Sequence, residues 1–211
     1  MLITFEGVEG SGKTTQVRIL QDYLKLKARD VVATREPGGT PLADRLRRML
    51  LNPENAGMTP LTELFLYLAA RAQHVDECIR PALDEGKWVL CDRYVDATLA
   101  YQGGGRKLSF ELVRQLNTAA IQGTRPHLTF LIDLPAELGL KRARERYHAK
   151  EGTAKGDRIE QETIAFHERV RDVYLELARQ EPTRIRVVDG TMDIDAIHQR
   201  IVQELEPFLT P

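Results

Sequence analysis

The residues that point most directly to chemistry lie at 7–14, where the sequence reads GVEGSGKT. This stretch fits the pattern Gly-x-x-x-x-Gly-Lys-Ser/Thr, which is typical of a phosphate-binding loop. Its glycines let backbone N–H groups turn toward phosphate oxygens, and a following helix adds the positive end of its dipole. We therefore predict that ATP phosphates bind here. The candidate ATP-binding residues of the loop are Gly7, Val8, Glu9, Gly10, Ser11, Gly12, Lys13 and Thr14.

The end of this loop carries groups that suit a metal-bound triphosphate. Lys13 can reach the β- and γ-phosphates, and the Thr14 hydroxyl can bind Mg²⁺. Asp92 follows an apolar run at 88–91, and its carboxylate is a second candidate ligand for Mg²⁺ or its water. The alternative is a glycine-rich turn that fits the pattern by chance, which the apolar run before it and the helical pattern after it disfavour. The loop alone does not separate a kinase from an ATPase or a GTPase, although the chain lacks the Asn-Lys-x-Asp sequence of guanine recognition.

Arginines at predicted strand ends indicate a second phosphate site. Arg35 follows the second predicted strand, Arg93 follows the third, and Arg47 lies on the intervening helix. Ligands of open α/β sheets bind outside the carboxyl ends of the strands, and guanidinium groups recognise phosphate through paired hydrogen bonds. The alternative is that these are surface arginines with acidic partners nearby. The candidate partners are Glu36, Asp44 and Asp92.

The elements that must position these residues follow an alternating pattern. Short runs rich in β-branched residues alternate with longer amphipathic stretches, which predicts a parallel sheet covered by helices. The strands are predicted at 2–6, 31–35, 88–91, 128–133 and 184–188. The helices are predicted at 13–28, 40–51, 59–85, 109–122, 135–146, 158–180 and from 194 onward. Glycines at 103–105 are predicted to break the chain, and the polar stretch 147–156 is predicted to be a mobile loop.

Composition excludes several classes of partner. The 211 residues carry a net charge of −1, so no overall field attracts nucleic acid or an anionic membrane. No apolar run approaches the roughly 20 residues of a membrane span, and the N-terminus has no signal-peptide pattern. The 2 cysteines are expected to be free thiols in a reducing compartment. We therefore expect a single cytoplasmic domain over 1–211.

Several motifs together resemble those of bacterial thymidylate kinases over essentially the whole chain. They are GVEGSGKT, TREPGGT at 34–40, CDRY at 91–94, AYQGGGR at 100–106 and DRIEQE at 157–162. The resemblance implies a three-layer α/β/α sandwich whose five-stranded parallel sheet is of the P-loop nucleoside-monophosphate kinase type. It also implies transfer of phosphate from ATP to dTMP with Mg²⁺, and a homodimer. The rival hypotheses are a kinase for another monophosphate, such as dUMP or UMP, and a P-loop protein that binds nucleotide as a switch.

The same resemblance implies a nucleotide pocket. In that family an aromatic residue, an arginine, a small hydroxyl residue and a glutamine line the base pocket; a tyrosine crowds the sugar 2′ position, and an acidic loop residue approaches the 3′-hydroxyl. The implied dTMP-binding residues are Glu9, Glu36, Arg47, Tyr67, Arg71, Arg93, Thr98, Tyr101 and Gln102. Arg71 can donate to the base O4, and Gln102 can pair with N3–H and a carbonyl of the base. The alternatives are that Phe65 or Leu68 points inward in place of Tyr67, and that Glu9 is a solvated loop carboxylate.

Residues 142–158 are expected to form a mobile basic lid. Some family members carry a catalytic arginine in the loop where this chain has Gly10, so the missing charge is expected from the lid. We predict Arg146 as that catalytic arginine, with Arg142 nearer the adenine and Arg144 or Arg158 in support. The alternative is a solvated basic helix face, because arginines at two-residue spacing cannot all point one way from one helix. The predicted catalytic set is Lys13, Asp92, Arg93 and Arg146.

Overall fold

The computed structural model describes residues 1–151 and 156–209, and at 146–151 it describes the helical backbone alone. Within these ranges the chain forms one parallel sheet of five strands in the order β2-β3-β1-β4-β5. The strands are β1 Leu2–Glu6, β2 Val31–Arg35, β3 Trp88–Asp92, β4 Leu128–Asp133 and β5 Ile185–Asp189. Helices cover both faces of the sheet, so the predicted α/β class and three-layer architecture are confirmed.

Parallel pairing aligns the carboxyl ends of the strands at one edge. In the central strand β1, Phe5 lies opposite Asp92 of β3 and Phe130 of β4. In β2, Arg35 lies opposite the same Asp92. All five residues of β1 are buried, so buried and exposed positions do not alternate along this strand. The residues that follow β1, β2 and β3 therefore converge on one edge of the sheet.

Nine α-helices surround the sheet in the described ranges. They are α1 Lys13–Leu26, α2 Pro41–Leu51, α3 Pro60–His74, α4 Arg80–Asp84, α5 Val95–Thr98, α6 Phe110–Ile121, α7 Ala136–Glu151, α8 Ile164–Gln180 and α9 Ile194–Leu205. Side-chain caps begin several of them: the Thr40, Thr59 and Thr163 hydroxyls accept backbone N–H groups at the starts of α2, α3 and α8. Every described helix is too short or too polar to cross a lipid bilayer.

Two apolar layers hold the helices on the sheet. On one face, Phe5 and Phe130 stack with ring centres 5.5 Å apart and pack with Leu20 of α1 and Ile201 of α9. On the other face, side chains of α3, α6 and α8 form a second buried cluster. Together these layers position the carboxyl edge of the sheet between α3 and the loop that precedes α1.

The predicted chain break at 103–105 is wrong. Residues Leu99–Gly105 continue α5 as a wider, π-helical turn. A Cβ on Gly104 would lie 2.6 Å from Val173 Cγ2, and one on Gly105 would lie 2.5 Å from Phe166 Cε2. The glycines therefore let this turn approach α8 closely rather than ending the helix.

Other predicted boundaries shift for local reasons. The long helix predicted at 59–85 divides into α3, a π-helical turn at Val75–Ile79 and the short α4. Helix α7 runs to Glu151, so part of the predicted loop 147–156 is helical. Helix α8 begins at Ile164 rather than 158, because the Asp157 carboxylate accepts the N–H groups of Ile159 and Glu160 and turns the chain there.

Candidate active site

A cavity of about 570 Å³ opens at the carboxyl edge of the sheet. It lies between the phosphate-binding loop, the segments that follow β2 and β3, helix α3 and the π-helical turn after α5. Every residue that the resemblance implies for dTMP lines it. These are Glu9, Glu36, Arg47, Tyr67, Arg71, Arg93, Thr98, Tyr101 and Gln102, and they are joined by Lys13, Thr14 and Asp92.

Lys13 lies at the centre of the phosphate-binding loop. Its ammonium group donates to the carbonyls of Gly7 and Val8 at 3.0 and 2.7 Å and to the Ser11 hydroxyl at 3.1 Å. Burial, followed by the positive charge of Arg93, lowers the pKa of Lys13 to about 8. Nearby phosphate oxygens would raise the pKa of Lys13 again and favour its charged form, so the loop is suited to bind a polyphosphate.

Close backbone packing explains why the loop has no side chain at Gly10. Gly10 has a φ of +69°, and its place beside Gly139 of α7 leaves no room for a Cβ. A Cβ on Gly139 would in turn clash with the Glu9 carbonyl oxygen. The loop and α7 therefore touch through two glycines, and an arginine at Gly10 would require the two elements to separate.

The Thr14 hydroxyl and Asp92 form the oxygen pair expected for a metal. Thr14 Oγ1 donates to Asp92 Oδ2 at 2.5 Å, which joins the start of α1 to the end of β3. Mg²⁺ is usually held by one or two protein oxygens, with phosphates and water as its other ligands. The described residues hold no group of three or more His, Cys, Asp and Glu side chains that could form a full protein cage. The pair therefore suits Mg²⁺ bound together with a nucleotide.

Arg93 connects the loop to the rest of the cavity. It follows β3 with a φ of +70°, which residues other than glycine rarely adopt. Its guanidinium donates to the Gly7 carbonyl at 3.0 Å and to Glu9 Oε1 at 2.9 Å, and it lies 4.9 Å from the ring centre of Tyr101. Such backbone conformations persist where many contacts hold them, and they are frequent at functional sites.

Glu9 is anchored rather than solvated, so the solvated alternative is wrong. Only 11% of its side chain is exposed. The Tyr101 hydroxyl donates to its carboxylate at 2.8 Å, and His167 Nδ1 lies 3.2 Å from Oε2. Burial raises the pKa of Glu9, but the charge of Arg93 and the His167 ring outweigh it and lower the pKa well below its ordinary value. Glu9 is thus a fixed anion beside the loop.

Arg71 organises the far end of the cavity. Its side chain is 2% exposed, and it donates to Glu36 at 2.7 Å, to Thr98 at 2.7 Å, to Asn117 at 2.5 Å and to the Tyr94 carbonyl at 2.9 Å. The ion pair makes Glu36 a partner of Arg71 rather than of the strand-end arginines. Although burial raises the pKa of Glu36, Arg71 and His74 together outweigh this effect and lower it. Sequence reasoning missed Asn117, a polar residue on the buried side of α6.

The other residues at this end settle the helix register. Tyr67 lines the cavity, whereas Phe65 is 52% exposed and Leu68 lies in the core, so both alternatives to Tyr67 are wrong. Gln102 is buried and donates through Nε2 to Glu63 at 2.8 Å. Glu63 is fully buried, and sequence reasoning missed it as well.

The two remaining strand-edge arginines differ. Arg47 donates to the Pro37 carbonyl at 2.9 Å, and burial together with the charge of Arg35 lowers its pKa. The positive charges of the two guanidinium groups repel each other, and an anion bound between them would offset this repulsion. Arg35 is half-exposed and pairs with Asp44 at 3.3 Å, as the surface alternative predicts, although it also lines the cavity.

Arginines of the predicted basic lid, residues 142–158, lie in different surroundings where the structure describes their side chains. The side chain of Arg146 lies outside the described residues. Arg142 donates to the Gly190 carbonyl at 3.0 Å beside the loop and does not line the cavity. Arg158 is buried, where it donates to the Leu50 carbonyl at 2.7 Å and pairs with Glu63 at 2.6 Å. Arg158 therefore supports the cavity wall rather than a phosphate.

The chain resembles known proteins along nearly its whole length. The thymidylate kinase family model matches residues 5–201. A thymidylate kinase of Syntrophotalea carbinolica is 56% identical over 199 residues, which cover 94% of this chain and 92% of that protein. One of Geotalea uraniireducens is 52% identical over 208 residues, which cover 99% and 93%.

A solved structure extends the match to the fold. The crystal structure of thymidylate kinase from Ehrlichia chaffeensis superposes with a TM-score of 0.77 at 35% identity, and the match covers 98% of both chains. The family model, the relatives and the fold agree over nearly the full length. This chain belongs to the thymidylate kinase family.

Proposed function

We infer that this protein transfers the γ-phosphate of ATP to dTMP and releases ADP and dTDP. A phosphate oxygen of dTMP attacks the γ-phosphorus, and the bond from that phosphorus to the β–γ bridging oxygen breaks as ADP leaves. The inference rests on one observation: the phosphate-binding loop and a buried arginine–glutamine pair suited to a base line the same cavity. Family membership supports the same reaction.

On the ATP side, the loop N–H groups and Lys13 hold the β- and γ-phosphates. Thr14 and Asp92 hold Mg²⁺, which neutralises phosphate charge when it is bound. Because Gly10 offers no side chain, we propose that Arg146 on the lid over 142–158 supplies the remaining positive charge in the transition state. Arg142 keeps its proposed place near the adenine, which is supported by the position of its Cβ, 3.1 Å from where a Cβ on Gly10 of the loop would lie.

On the dTMP side, hydrogen-bond accounting supports a base-reading role for Arg71. Its Nε–H and both Nη1–H groups are used within the protein, and one Nη2–H is used on the Tyr94 carbonyl. A second N–H on Nη2 is left for the base O4. Gln102 Oε1, opposite the Nε2 that Glu63 occupies, is left to accept N3–H.

The sugar and phosphate complete the substrate. We propose that Arg93 and Arg47 bind the dTMP phosphate and hold it next to the γ-phosphate of ATP. Glu9 accepts a hydrogen bond from the 3′-hydroxyl. The Tyr101 ring, whose hydroxyl is tied to Glu9, occupies the space that a 2′-hydroxyl would need. Tyr67 stacks on the base.

We also propose that the protein is a cytoplasmic homodimer. Helix α3 packs against both α2 and α6, and all three expose apolar side chains; groups of such side chains on neighbouring elements mark protein–protein interfaces. The exposed side chains are Leu42, Met49, Leu61, Phe65, Phe110 and Leu112. A monomer mass measured by light scattering would contradict the proposed dimer. The free thiols of Cys78 and Cys91 support a reducing compartment.

A coupled ADP-release assay across a panel of nucleoside monophosphates tests the reaction. We expect the highest kcat/KM for dTMP and a much lower value for UMP, because the Tyr101 ring occupies the space that a 2′-hydroxyl would need. dUMP presents the same N3–H and O4 as dTMP and lacks only the 5-methyl group, so its kcat/KM should be lower by about tenfold, through the loss of one apolar contact. A higher kcat/KM for UMP or dUMP would identify a different monophosphate kinase. ATP binding without turnover of any monophosphate would identify a nucleotide switch.

A further inference from the structure

Glu63 is a buried carboxylate behind the cavity wall, and it holds three side chains at once. Gln102 donates to Oε1 at 2.8 Å. Arg106 donates to Oε2 at 2.9 Å through Nη2, and its Nε bridges both oxygens at 3.1 and 3.2 Å. Arg158 Nη1 lies 2.6 Å from Oε2. The side chain of Glu63 is 0% exposed, so its bonding pattern is set by the protein alone.

This arrangement determines which way round the Gln102 amide lies. An ionised carboxylate accepts hydrogen bonds and cannot donate them, so only the NH₂ end of the amide can face it. Burial raises the pKa of Glu63, but Arg106, Gln102 and Arg158 outweigh burial and lower it, so the carboxylate is ionised at neutral pH. The Oε1 end of Gln102 accepts no hydrogen bond from any described residue, and it is the end left for the cavity that Gln102 lines.

We propose that Glu63 is a positioning residue that sets pyrimidine selectivity, because it makes Gln102 present an acceptor to the base. Thymine and uracil carry a donor at N3, whereas cytosine carries a lone pair there. An acceptor facing N3 therefore favours dTMP over dCMP. This proposal rests on the proposed function, and it adds a residue that does not touch the substrate.

The Glu63→Gln substitution has a defined consequence in this geometry. Arg158 Nη1 and Arg106 Nη2 donate to Oε2 alone, so they hold the carbonyl of the new side chain there, and Arg106 Nε keeps its contact with this oxygen while it loses the one with Oε1. Its NH₂ group then replaces Oε1 and faces Gln102. Gln102 turns its own carbonyl toward that NH₂ and presents its NH₂ to the base. The pocket then opposes N3–H and matches the lone pair of cytosine.

The experiment is internal competition between dTMP and dCMP in one reaction with ATP, and the readout is the ratio of dTDP to dCDP formed. This ratio of kcat/KM values does not depend on how much of the enzyme is folded. For Glu63→Gln we expect the ratio to fall at least about tenfold, since one hydrogen bond to dTMP is lost and one to dCMP is gained. A purely structural Glu63 would lower both products equally.

Two further variants keep the test decisive. Arg106→Gln removes a partner of Glu63 but leaves its carboxylate on Gln102, so the melting temperature should fall while the ratio stays at the wild-type value. The double variant Glu63→Gln/Arg106→Gln removes one negative and one positive charge, so the net charge of the cluster stays at the wild-type value, and its ratio should fall as in Glu63→Gln.

The outcomes separate this proposal from the proposed function. A wild-type ratio in Glu63→Gln or in the double variant overturns the role of Glu63, as does an equal loss of ratio in Arg106→Gln. A wild-type protein that makes no dTDP overturns the proposed function itself.

Discussion

Replacing Gly139 by alanine tests the packing that shapes the phosphate-binding loop. A Cβ at Gly139 would lie about 1 Å inside the 3.4 Å at which ordinary contact with the Glu9 carbonyl oxygen begins. The obstacle is backbone on both sides, so no side chain can rotate away. Either the loop or α7 must move by about 1 Å, and Lys13 and the loop N–H groups move with the loop.

The size of the effect follows from that displacement. Overpacking of this kind costs about 1–3 kcal/mol of stability. The same substitution in an unhindered helix interior stabilises by about 1 kcal/mol, so the expected sign is reversed. A misplacement of about 1 Å in groups that hold reacting atoms lowers turnover by about a hundredfold. We therefore expect Gly139→Ala to lower both the melting temperature and the affinity for MgATP.

The assay combines thermal unfolding, calorimetric titration with MgATP and initial rates with dTMP. Gly57→Ala is the matched control, because no atom of the described residues lies within 4 Å of a Cβ at Gly57, and it should leave all three quantities unchanged. A Gly139→Ala variant with unchanged or raised melting temperature and wild-type MgATP affinity would refute the close-packing argument.

Other substitutions and conditions test single parts of the site. Lys13→Ala should abolish transfer and lower the melting temperature, because three hydrogen bonds within the loop are lost, and substantial activity in the folded variant would contradict the loop assignment. Because burial lowers the pKa of Lys13 to about 8, ATP binding at pH 8 should take up protons and weaken as pH rises further; calorimetry in buffers of different ionisation enthalpy that detects no uptake would contradict this. Arg146→Ala should lower kcat by about 10³-fold or more with a smaller change in KM, and a twofold loss would exclude it as the catalytic arginine. Tyr101→Ala should admit ribonucleotides such as UMP better, and an unchanged preference for deoxyribose would refute the steric role.

Much of the fold was predictable because its signals are local. Strands β1, β2 and β4 begin and end at the predicted residues, since each is an apolar run bounded by turn residues or glycines. The phosphate-binding loop was predictable for the same reason, because its spacing, the apolar run before it and the helical pattern after it are all local signals.

The glycines at 103–105 show where local reasoning fails. Their usual reading is a chain break, but here they allow Leu99–Gly105 to pack against Phe166 and Val173, which lie far along the chain. Nothing in the local pattern distinguishes a glycine that ends a helix from one that admits a neighbouring helix.

The residues of the candidate site fall into the same two groups: those with a local sequence signal were predicted, and those without one were missed. Residues inside recognisable motifs, such as Arg93 and Gln102, were identified and do line the cavity. Asn117 and Glu63 were missed, because each acts through a partner that is 46 or 39 residues away. Arg158 was grouped with the basic lid on charge alone, whereas its contact with buried Glu63 makes it part of the wall.

The most direct test of the central claim is formation of dTDP from dTMP and MgATP by substoichiometric protein, followed by chromatography. We expect dTDP and ADP to accumulate in equal amounts over many turnovers. A Lys13→Ala protein purified in parallel should form neither, which excludes a contaminating kinase. ADP without dTDP, or equal dTDP from both proteins, would contradict the account.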